Sequence, residues 1–268
     1  MVSSGADRES RARVGGWASV LLLRQVVTRL NRSYGAMPAE RLKRWWAAMW
    51  GGQVAVLALT VALVFLVRWL EARGLLSWEA GAIRWLEARV PISFSFAMWL
   101  EGVGNGFVLW GLVLYAAAVS ALRHRALRAL SFLVGHSLVY LPISLAWFLW
   151  NRPRPRLILD GVASPGGVFH AFPSGHLVQS AFAYGLLLAL WLGTTRSRAE
   201  RAFALVGYLL VVGLIGFGRL RIGVHWPSDI AGGAMIGGVW AWAVARAGGL
   251  HDPPRRAPPE RITPPTPA

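Results

Sequence analysis

The fold follows first from residues 45–67, which read WWAAMWGGQVAVLALTVALVFLV. The segment holds 23 residues without a single charged side chain. About 20 apolar residues in a helix are enough to cross the hydrocarbon layer of a membrane. Because backbone polar groups inside lipid must bond within their own segment, an uninterrupted run of this length predicts a transmembrane helix and not a barrel strand.

Five further runs along the chain have the same apolar character. The fifth and sixth runs are shorter or interrupted, the sixth by Asp229. The sequence therefore predicts an all-α polytopic membrane protein, a six-transmembrane-helix bundle at residues 45–245 between a basic N-terminal segment, 1–44, and a tail, 246–268. The five additional spans are predicted at residues 102–122, 129–150, 177–195, 202–218 and 227–245.

Composition supports this class and excludes several others. Residues of the hydrophobic set make up 55% of the 268, charged residues only 15%, and the mean hydropathy is +0.47, which is too apolar for an ordinary soluble domain. The chain has no cysteine, so disulfides, thiolate nucleophiles and cysteine-ligated metals are excluded. Lys43 is the only lysine, and almost all of the positive charge is carried by arginine.

The distribution of basic residues predicts the orientation of the bundle. Six spans place both termini on one side, where 19 of the 28 Lys and Arg residues lie, against nine on the other side. The positive-inside rule then predicts cytoplasmic termini in the cell (inner) membrane. These charges follow the membrane boundary, where anionic headgroups attract them, and do not form the single basic face of a nucleic-acid-binding domain.

Three segments flank or join the spans. Residues 77–90 predict an interfacial helix on the outer surface, with Ser77 as a possible N-cap. Residues 17–30 have apolar side chains near helical spacing, typical of a helix in the cytoplasmic headgroup layer, and a disordered tail is the alternative. Seven prolines among the last 18 residues predict an unstructured cytoplasmic tail.

Polar and turn-forming residues gather at span ends on the predicted outer face. In an antiparallel bundle three such clusters can converge on one point. One histidine, His225, stands four residues before Asp229, so the two side chains can face each other across one helical turn. The clusters are NRPRPR at residues 151–156, FPSGH at 172–176 and GRLRIGVHWPSD at 218–229.

These residue types fit the binding of a tetrahedral oxyanion. Arg152, Arg154 and Arg156 alternate with prolines, which favour extended backbone and allow guanidinium groups to turn to one side. Arginine matches phosphate oxygens bidentately, and a helix that begins after Pro-Ser-Gly offers unpaired backbone N–H groups. His225, oriented by Asp229, can attack phosphorus, and His176 can protonate the leaving alkoxide.

At these residues the chain resembles the type 2 phosphatidic acid phosphatase superfamily, integral-membrane lipid phosphatases related to vanadium haloperoxidases. The family pattern has three parts, and the sequence fits them at Arg154-Pro155, at the tetrapeptide 173–176, and at Arg219 with His225 and Asp229. The resemblance covers roughly residues 45–245. The resemblance implies that His225 is the phosphohistidine nucleophile, Asp229 its orienter and His176 the acid. It further implies phosphate binding by Arg154, Arg219 and Ser174, and we add the N-terminal backbone at Gly175.

Two positions depart from the family pattern. The lysine expected seven residues before Arg154 is Trp147, and the serine expected before Arg219 is Gly218. An uncompensated loss of one oxyanion donor can cost about 10²–10³ in rate. Arg152 or Arg156 could supply the missing charge, and our hypothesis is that Arg152 does so as a further phosphate binder.

The sequence thus predicts a metal-independent phosphatase without a cofactor, acting on a membrane lipid phosphate at the outer face. The resemblance implies a phosphomonoester or pyrophosphate of the phosphatidic acid, phosphatidylglycerol phosphate or undecaprenyl pyrophosphate class. A lipid phosphotransferase of the same fold and a catalytically weakened lipid-phosphate-binding protein are the alternatives. The expected partners are the lipid substrate and the bilayer, and no nucleic acid is expected. The sequence makes no prediction of oligomeric state. The sequence also predicts an ion pair between Glu101 and an outer-face arginine, and close helix packing at glycines 232, 233, 237 and 238.

Overall fold

The computed structural model describes residues 5–155 and 169–250. Within these ranges it contains ten α-helices and no strand. The helices are α1 Gly5–Gly35, α2 Ala39–Ala72, α3 Trp78–Arg89, α4 Phe94–Gly102, α5 Gly106–Leu122, α6 Ala126–Leu138, α7 Tyr140–Leu149, α8 Gly175–Thr194, α9 Arg198–Arg221 and α10 Pro227–Ala247.

Six segments of the described chain are long and apolar enough to cross a membrane, which confirms the predicted six-helix bundle. Their bounds differ from the sequence prediction mainly at the second span, which begins at Phe94 and not at residue 102. The sequence prediction stopped at Glu101 because a carboxylate is costly in lipid. In the fold this carboxylate is buried and paired with Arg219, so the span can include it.

Two of the spans consist of two helices each. The second joins α4 to α5, and Asn105 caps α5 by accepting the N–H of Phe107 at 3.0 Å. The third joins α6 to α7, where Pro142 lacks the N–H that would bond to the preceding turn.

Helix α2 is longer than a membrane requires. Its 34 residues extend about 51 Å at 1.5 Å per residue, against a hydrocarbon layer of about 30 Å. The helix therefore projects beyond the lipid and carries Glu71 to the end of the bundle where the polar clusters lie. The interfacial helix α3 follows, with Trp78 and Trp85 exposed and Glu79 buried. Ser77 precedes α3, but its side chain makes no capping hydrogen bond.

Close packing of α8 against α10 fixes the register of the site. A Cβ atom on Gly237 would lie 2.2 Å from the carbonyl oxygen of Val178, and one on Gly233 would lie 2.8 Å from that of Ser174. Only glycine permits this approach, which confirms the expected helix packing for 233 and 237. A Cβ on Gly232 would lie 2.6 Å from the ring of Phe172, which belongs to the loop before α8 and not to a helix. Gly238 is different, since a Cβ there would meet only ordinary contact at 3.8 Å.

Helix α1 lies at the end of the bundle opposite the polar clusters. The N-terminal segment forms a helix, which favours the amphipathic-helix alternative over a disordered tail. Its described side chains include exposed Val20, Leu21 and Val27. Arg29 donates to the carbonyl oxygen of Leu122 at 2.8 Å and ties α1 to the end of α5. Residues 1–4 and 251–268, including the predicted proline-rich segment, lie outside the described residues.

Candidate active site

The turn between α9 and α10 brings a histidine back over the end of α9. Gly223 has a φ of +72°, a left-handed conformation that glycine adopts without a steric penalty. The turn places His225 beside Arg219, which lies in the last turn of α9. Nη2 of Arg219 and Nε2 of His225 are 3.4 Å apart, and both side chains are buried.

The hydrogen bond at the other ring nitrogen assigns the tautomer of His225. Nδ1 lies 2.9 Å from the carbonyl oxygen of Ala171. A carbonyl only accepts, so Nδ1 carries the proton and donates it. Nε2 is therefore unprotonated, and its lone pair faces the guanidinium group of Arg219.

The environment of His225 favours the neutral imidazole. Burial lowers the pKa of His225 to about 4, and the positive charges of Arg219 and Arg154 act in the same direction, whereas Asp229 opposes them. The usual pKa of a histidine is about 6.5. At neutral pH the ring is consequently neutral, with Nε2 unprotonated.

Asp229 has both carboxylate oxygens engaged at the start of α10. Oδ2 accepts the backbone N–H of Trp226 at 2.7 Å, and Oδ1 accepts from Arg152 at 2.6 Å. Its Oδ2 is 3.6 Å from Nδ1 of His225, longer than a hydrogen bond. The direct partner that orients the ring is thus the carbonyl group of Ala171, and Asp229 adds a nearby negative charge.

Arg152 lies at the centre of a buried polar network, which argues against the hypothesis that it binds phosphate. Its guanidinium group donates to Glu79 at 2.9 Å, to Ser228 at 2.7 Å and to Glu71 at 3.3 Å, besides the bond to Asp229. Only 1% of its side chain is exposed. Burial alone would lower the pKa of Arg152, but the adjacent carboxylates raise it above its ordinary value.

The faces of the Arg152 guanidinium are covered as well. The rings of Trp150 and Trp226 lie 5.2 Å and 5.6 Å from its central carbon, within the range of cation–π attraction. Because edges and faces are both engaged, a phosphate group cannot reach this side chain without displacing its partners. Arg152 therefore positions Asp229 and α3. Arg156, the other substitute considered for the missing lysine, lies outside the described residues.

Arg154 lies near Arg219 and His225 at this end of the bundle. Its Nε donates to the carbonyl oxygen of Phe169 at 3.0 Å, and the side chain is half-buried. Burial lowers the pKa of Arg154, and the neighbouring charge of Arg219 lowers it further. Two guanidinium groups close enough to repel each other form a region of concentrated positive charge, which an oxyanion would stabilise.

Glu101 lies between Arg219 and His176. Its Oε2 accepts from Nη1 of Arg219 at 2.7 Å and lies 3.6 Å from Nε2 of His176. The ion pair predicted for Glu101 is therefore confirmed, with Arg219 as its partner. One carboxylate on α4 is thereby hydrogen-bonded to an arginine from α9 and lies near a histidine from α8.

The beginning of α8 supplies further donors. Ser174 precedes the helix, its backbone N–H bonds to the carbonyl oxygen of Asp229 at 3.1 Å, and its buried hydroxyl has no partner among the described residues. The first N–H groups of a helix have no intrahelical acceptor. Those of Gly175 and His176 therefore belong to the same group of potential anion donors.

Structural reasons can be given for both departures from the family pattern. A Cβ on Gly218 would lie 2.9 Å from the carbonyl oxygen of Ala97, so a serine there would separate α9 from α4. This close approach lets Glu101 reach Arg219. At the other position, the ring of Trp147 lies beside Gly175, 3.8 Å from where a Cβ would stand, and 5.2 Å from the ring of His170. Its buried indole N–H has no partner among the described residues.

Sequence reasoning missed three groups and one contact at this end of the bundle. Glu71 and Glu79 precede the second span, far from Arg152 in sequence, and no motif marks them as its partners. The carbonyl group of Ala171 carries no side-chain signal at all. Glu101 was expected in an ion pair, but its additional proximity to His176 was not.

The fold and these side chains together define an all-helical, multi-pass membrane protein whose histidines and arginines converge at one end. Residues 128–250 match the model of the PAP2 superfamily, which confirms the resemblance over that part of the chain. Among curated proteins, none matches the sequence.

Two solved structures are similar to the chain. The first is a transmembrane PAP2-type phosphatidylglycerolphosphate phosphatase from Bacillus subtilis, with a TM-score of 0.59, 18% identity, and coverage of 72% of this chain and 93% of that one. The second is LpxE from Aquifex aeolicus, with a TM-score of 0.45, 22% identity, and coverage of 62% and 93%. At this identity the first structure supports the fold.

Proposed function

We propose that the protein is an integral-membrane lipid phosphatase that hydrolyses a phosphomonoester or pyrophosphate of a membrane lipid through a phosphohistidine at His225. The observation that carries the proposal is the state of this imidazole. Nδ1 is fixed as a donor to Ala171, Nε2 is unprotonated, and Arg219 stands 3.4 Å from it. A buried nucleophile beside a guanidinium group is the arrangement that attack on a phosphate anion requires.

In the first step, the Nε2 lone pair forms a bond to phosphorus and the bond between phosphorus and the lipid oxygen breaks. Arg154, Arg219 and the N-terminal N–H groups of α8 stabilise the phosphate oxygens. The departing alkoxide takes a proton from His176. His176 is partly exposed at the start of α8, which suits a group that exchanges protons with substrate and water.

In the second step, water attacks the phosphohistidine and His176 accepts its proton. The bond between nitrogen and phosphorus breaks, and inorganic phosphate leaves with both histidines restored. The donors in this scheme are guanidinium, hydroxyl and backbone groups, and no step requires a metal ion. The phosphatase domain comprises residues 45–245, and the flanking segments are not part of the chemistry.

The substrate is a lipid because the site stands at the end of a membrane bundle, where a headgroup can reach His225 while its tail stays in the bilayer. The phosphatidylglycerolphosphate phosphatase of similar fold supports this class, and phosphatidic acid and undecaprenyl pyrophosphate belong to it as well. The distribution of basic residues supports an outer-face site and cytoplasmic termini in the inner membrane.

A second candidate is a lipid-phosphate binder with weakened catalysis. The observation that favours it is Trp147 at the position of the family lysine, which removes one cation from the phosphate donors. This candidate predicts phosphate binding without turnover. A phosphotransferase would instead show turnover only with an acceptor lipid.

The test is phosphate release by the purified full-length protein in detergent. The panel comprises phosphatidic acid, phosphatidylglycerol phosphate and undecaprenyl pyrophosphate, each with a chelator and with and without an acceptor lipid. We expect release from at least one substrate in the chelator, and none after His225→Asn, whereas the exposed Arg84→Gln variant keeps the wild-type rate. Retained turnover in a folded His225→Asn variant would refute the mechanism, and binding without turnover would support the second candidate.

A further inference from the structure

A basic cavity of about 410 Å³ lies at the end of the bundle opposite His225. It is enclosed by the end of α1, the start of α2, the loop between α5 and α6, and the end of α10. Four arginines and a histidine are among its lining residues, and no Asp or Glu is. The basic residues are Arg41, Arg123, His124, Arg125 and Arg128.

Contacts between helices shape this cavity. Arg29 fixes α1 to the end of α5, and the hydroxyl of Ser33 lies 3.4 Å from Nδ1 of His124. Arg128 donates to the carbonyl oxygen of Gly249 at 2.8 Å and joins α6 to the end of α10. The nearby acid Glu40 pairs with Lys43 at 3.0 Å, on the exposed side of α2. The basic residues thus come from three elements, with Arg41 on α2, Arg123 and Arg125 in the α5–α6 loop and Arg128 on α6, and they border one cavity.

An apolar groove of about 660 Å³ begins at the same wall. Arg123, Arg125 and Arg128 line both spaces. The groove runs between α5 and α8, over residues such as Val119 and Leu190. Its α5 side, from Leu112 to Val119, extends about 10 Å, against about 15 Å for one leaflet.

The basic cavity and the adjoining apolar groove together fit a ligand that has one anionic end and one apolar end. Guanidinium groups bind phosphate oxygens, and an apolar groove within the membrane receives an acyl chain. Arginines that merely anchor a helix at the interface need no such groove beside them. We propose that this is a binding site for an anionic phospholipid of the leaflet opposite the catalytic site, with its phosphate at Arg123 and Arg125 and one chain between α5 and α8.

This site is separate from the proposed phosphatase site. It contains none of the residues around His225, and it lies at the other end of the spans that both sites share. A phosphodiester lipid such as phosphatidylglycerol can occupy it without being a substrate of the proposed phosphomonoester chemistry. The site can therefore bind lipid whether or not the protein releases phosphate.

The experiment measures lipid retention by native mass spectrometry of the full-length protein in detergent. The probes are phosphatidylglycerol and phosphatidylcholine, added separately, and inorganic phosphate in excess as a competitor. We expect phosphatidylglycerol to be retained in preference to phosphatidylcholine and not to be displaced by inorganic phosphate. Equal retention of the two lipids, or displacement by inorganic phosphate, would overturn the proposal, the latter in favour of a soluble anion.

Two pairs of variants locate the binding. The double variant Arg123→Gln/Arg125→Gln should weaken lipid retention about 25-fold, because each arginine near the membrane surface contributes a factor of about five in affinity. The matched control is Arg196→Gln with Arg198→Gln, two exposed arginines at the same end of the bundle. Val119→Trp should fill the groove and reduce retention, whereas Leu114→Trp, on an exposed position of α5 outside the groove, should not.

Equal loss in the control variants would show diffuse charge attraction and contradict the proposed site. Retention unchanged by Val119→Trp would contradict the acyl-chain groove. Thermal unfolding and gel-filtration profiles identify any variant that fails to fold, and the arginine and groove substitutions provide independent evidence.

Discussion

Arg152 donates through Nη1 to Oδ1 of Asp229 at 2.6 Å, and both side chains are buried. The same arginine binds Glu79, which also accepts the backbone N–H of Ser228 at 2.7 Å. The interfacial helix α3 is thereby attached to the start of α10. Because Asp229 lies one turn after His225, this network determines where the negative charge stands relative to the imidazole.

The first prediction concerns Arg152→Gln. Removing one partner from a buried ion pair costs about 3–5 kcal/mol, so thermal stability should fall. Turnover should also fall, since Asp229 and α3 lose their anchor, while KM changes little because the side chain does not contact phosphate. The control is Arg84→Gln on the exposed face of α3. A large increase in KM with unchanged stability would instead support the phosphate-binding hypothesis.

A second prediction follows from the contact between α4 and α9. Gly218→Ser restores the residue of the family pattern but places a side chain against the backbone of Ala97. We expect a loss of about 1–3 kcal/mol of stability and a lower turnover, because Glu101 moves away from Arg219. Gly213→Ser on the same helix is the control, since no atom lies within 4 Å of its Cβ position. Higher activity in Gly218→Ser would contradict this explanation.

A third prediction assigns a role to the indole of Trp147. Its N–H has no partner among the described residues. Trp147 stands at the sequence position of the family lysine, and we expect this N–H to donate to the bound phosphate. Trp147→Phe should lower kcat/KM about ten- to a hundredfold, the value of a hydrogen bond to a charged group. The exposed Trp85→Phe variant is the control. An unchanged kcat/KM in Trp147→Phe would show that the indole does not replace the lysine.

The fourth prediction tests His176 through the leaving group. An alkoxide needs a proton as it departs, whereas an acidic phenol does not. His176→Ala should therefore lower kcat strongly for phosphatidic acid and only slightly for an aryl phosphate with an acidic phenol. Equal losses for both substrates would assign His176 to phosphate binding and not to proton donation.

The spans were predictable from sequence because lipid imposes a simple rule of length and polarity. That rule gave the wrong start for the second span, since Glu101 looks unfavourable until Arg219 is brought beside it. The motif residues indicated which side chains meet, but not their hydrogen bonds. His225 is oriented by the backbone of Ala171, and Arg152 is occupied by Glu71 and Glu79; both relationships depend on tertiary packing that no local pattern records.

The most direct test of the proposed chemistry is the identification of the phosphorylated residue during turnover. The protein is mixed with phosphate-labelled phosphatidic acid, or with the best substrate of the panel, quenched in alkali, and analysed by peptide mass spectrometry. We predict phosphate on the imidazole of His225, formed at least as fast as inorganic phosphate appears and absent in His225→Asn. Full turnover without phosphate on His225, or with phosphate on another residue, would contradict the account.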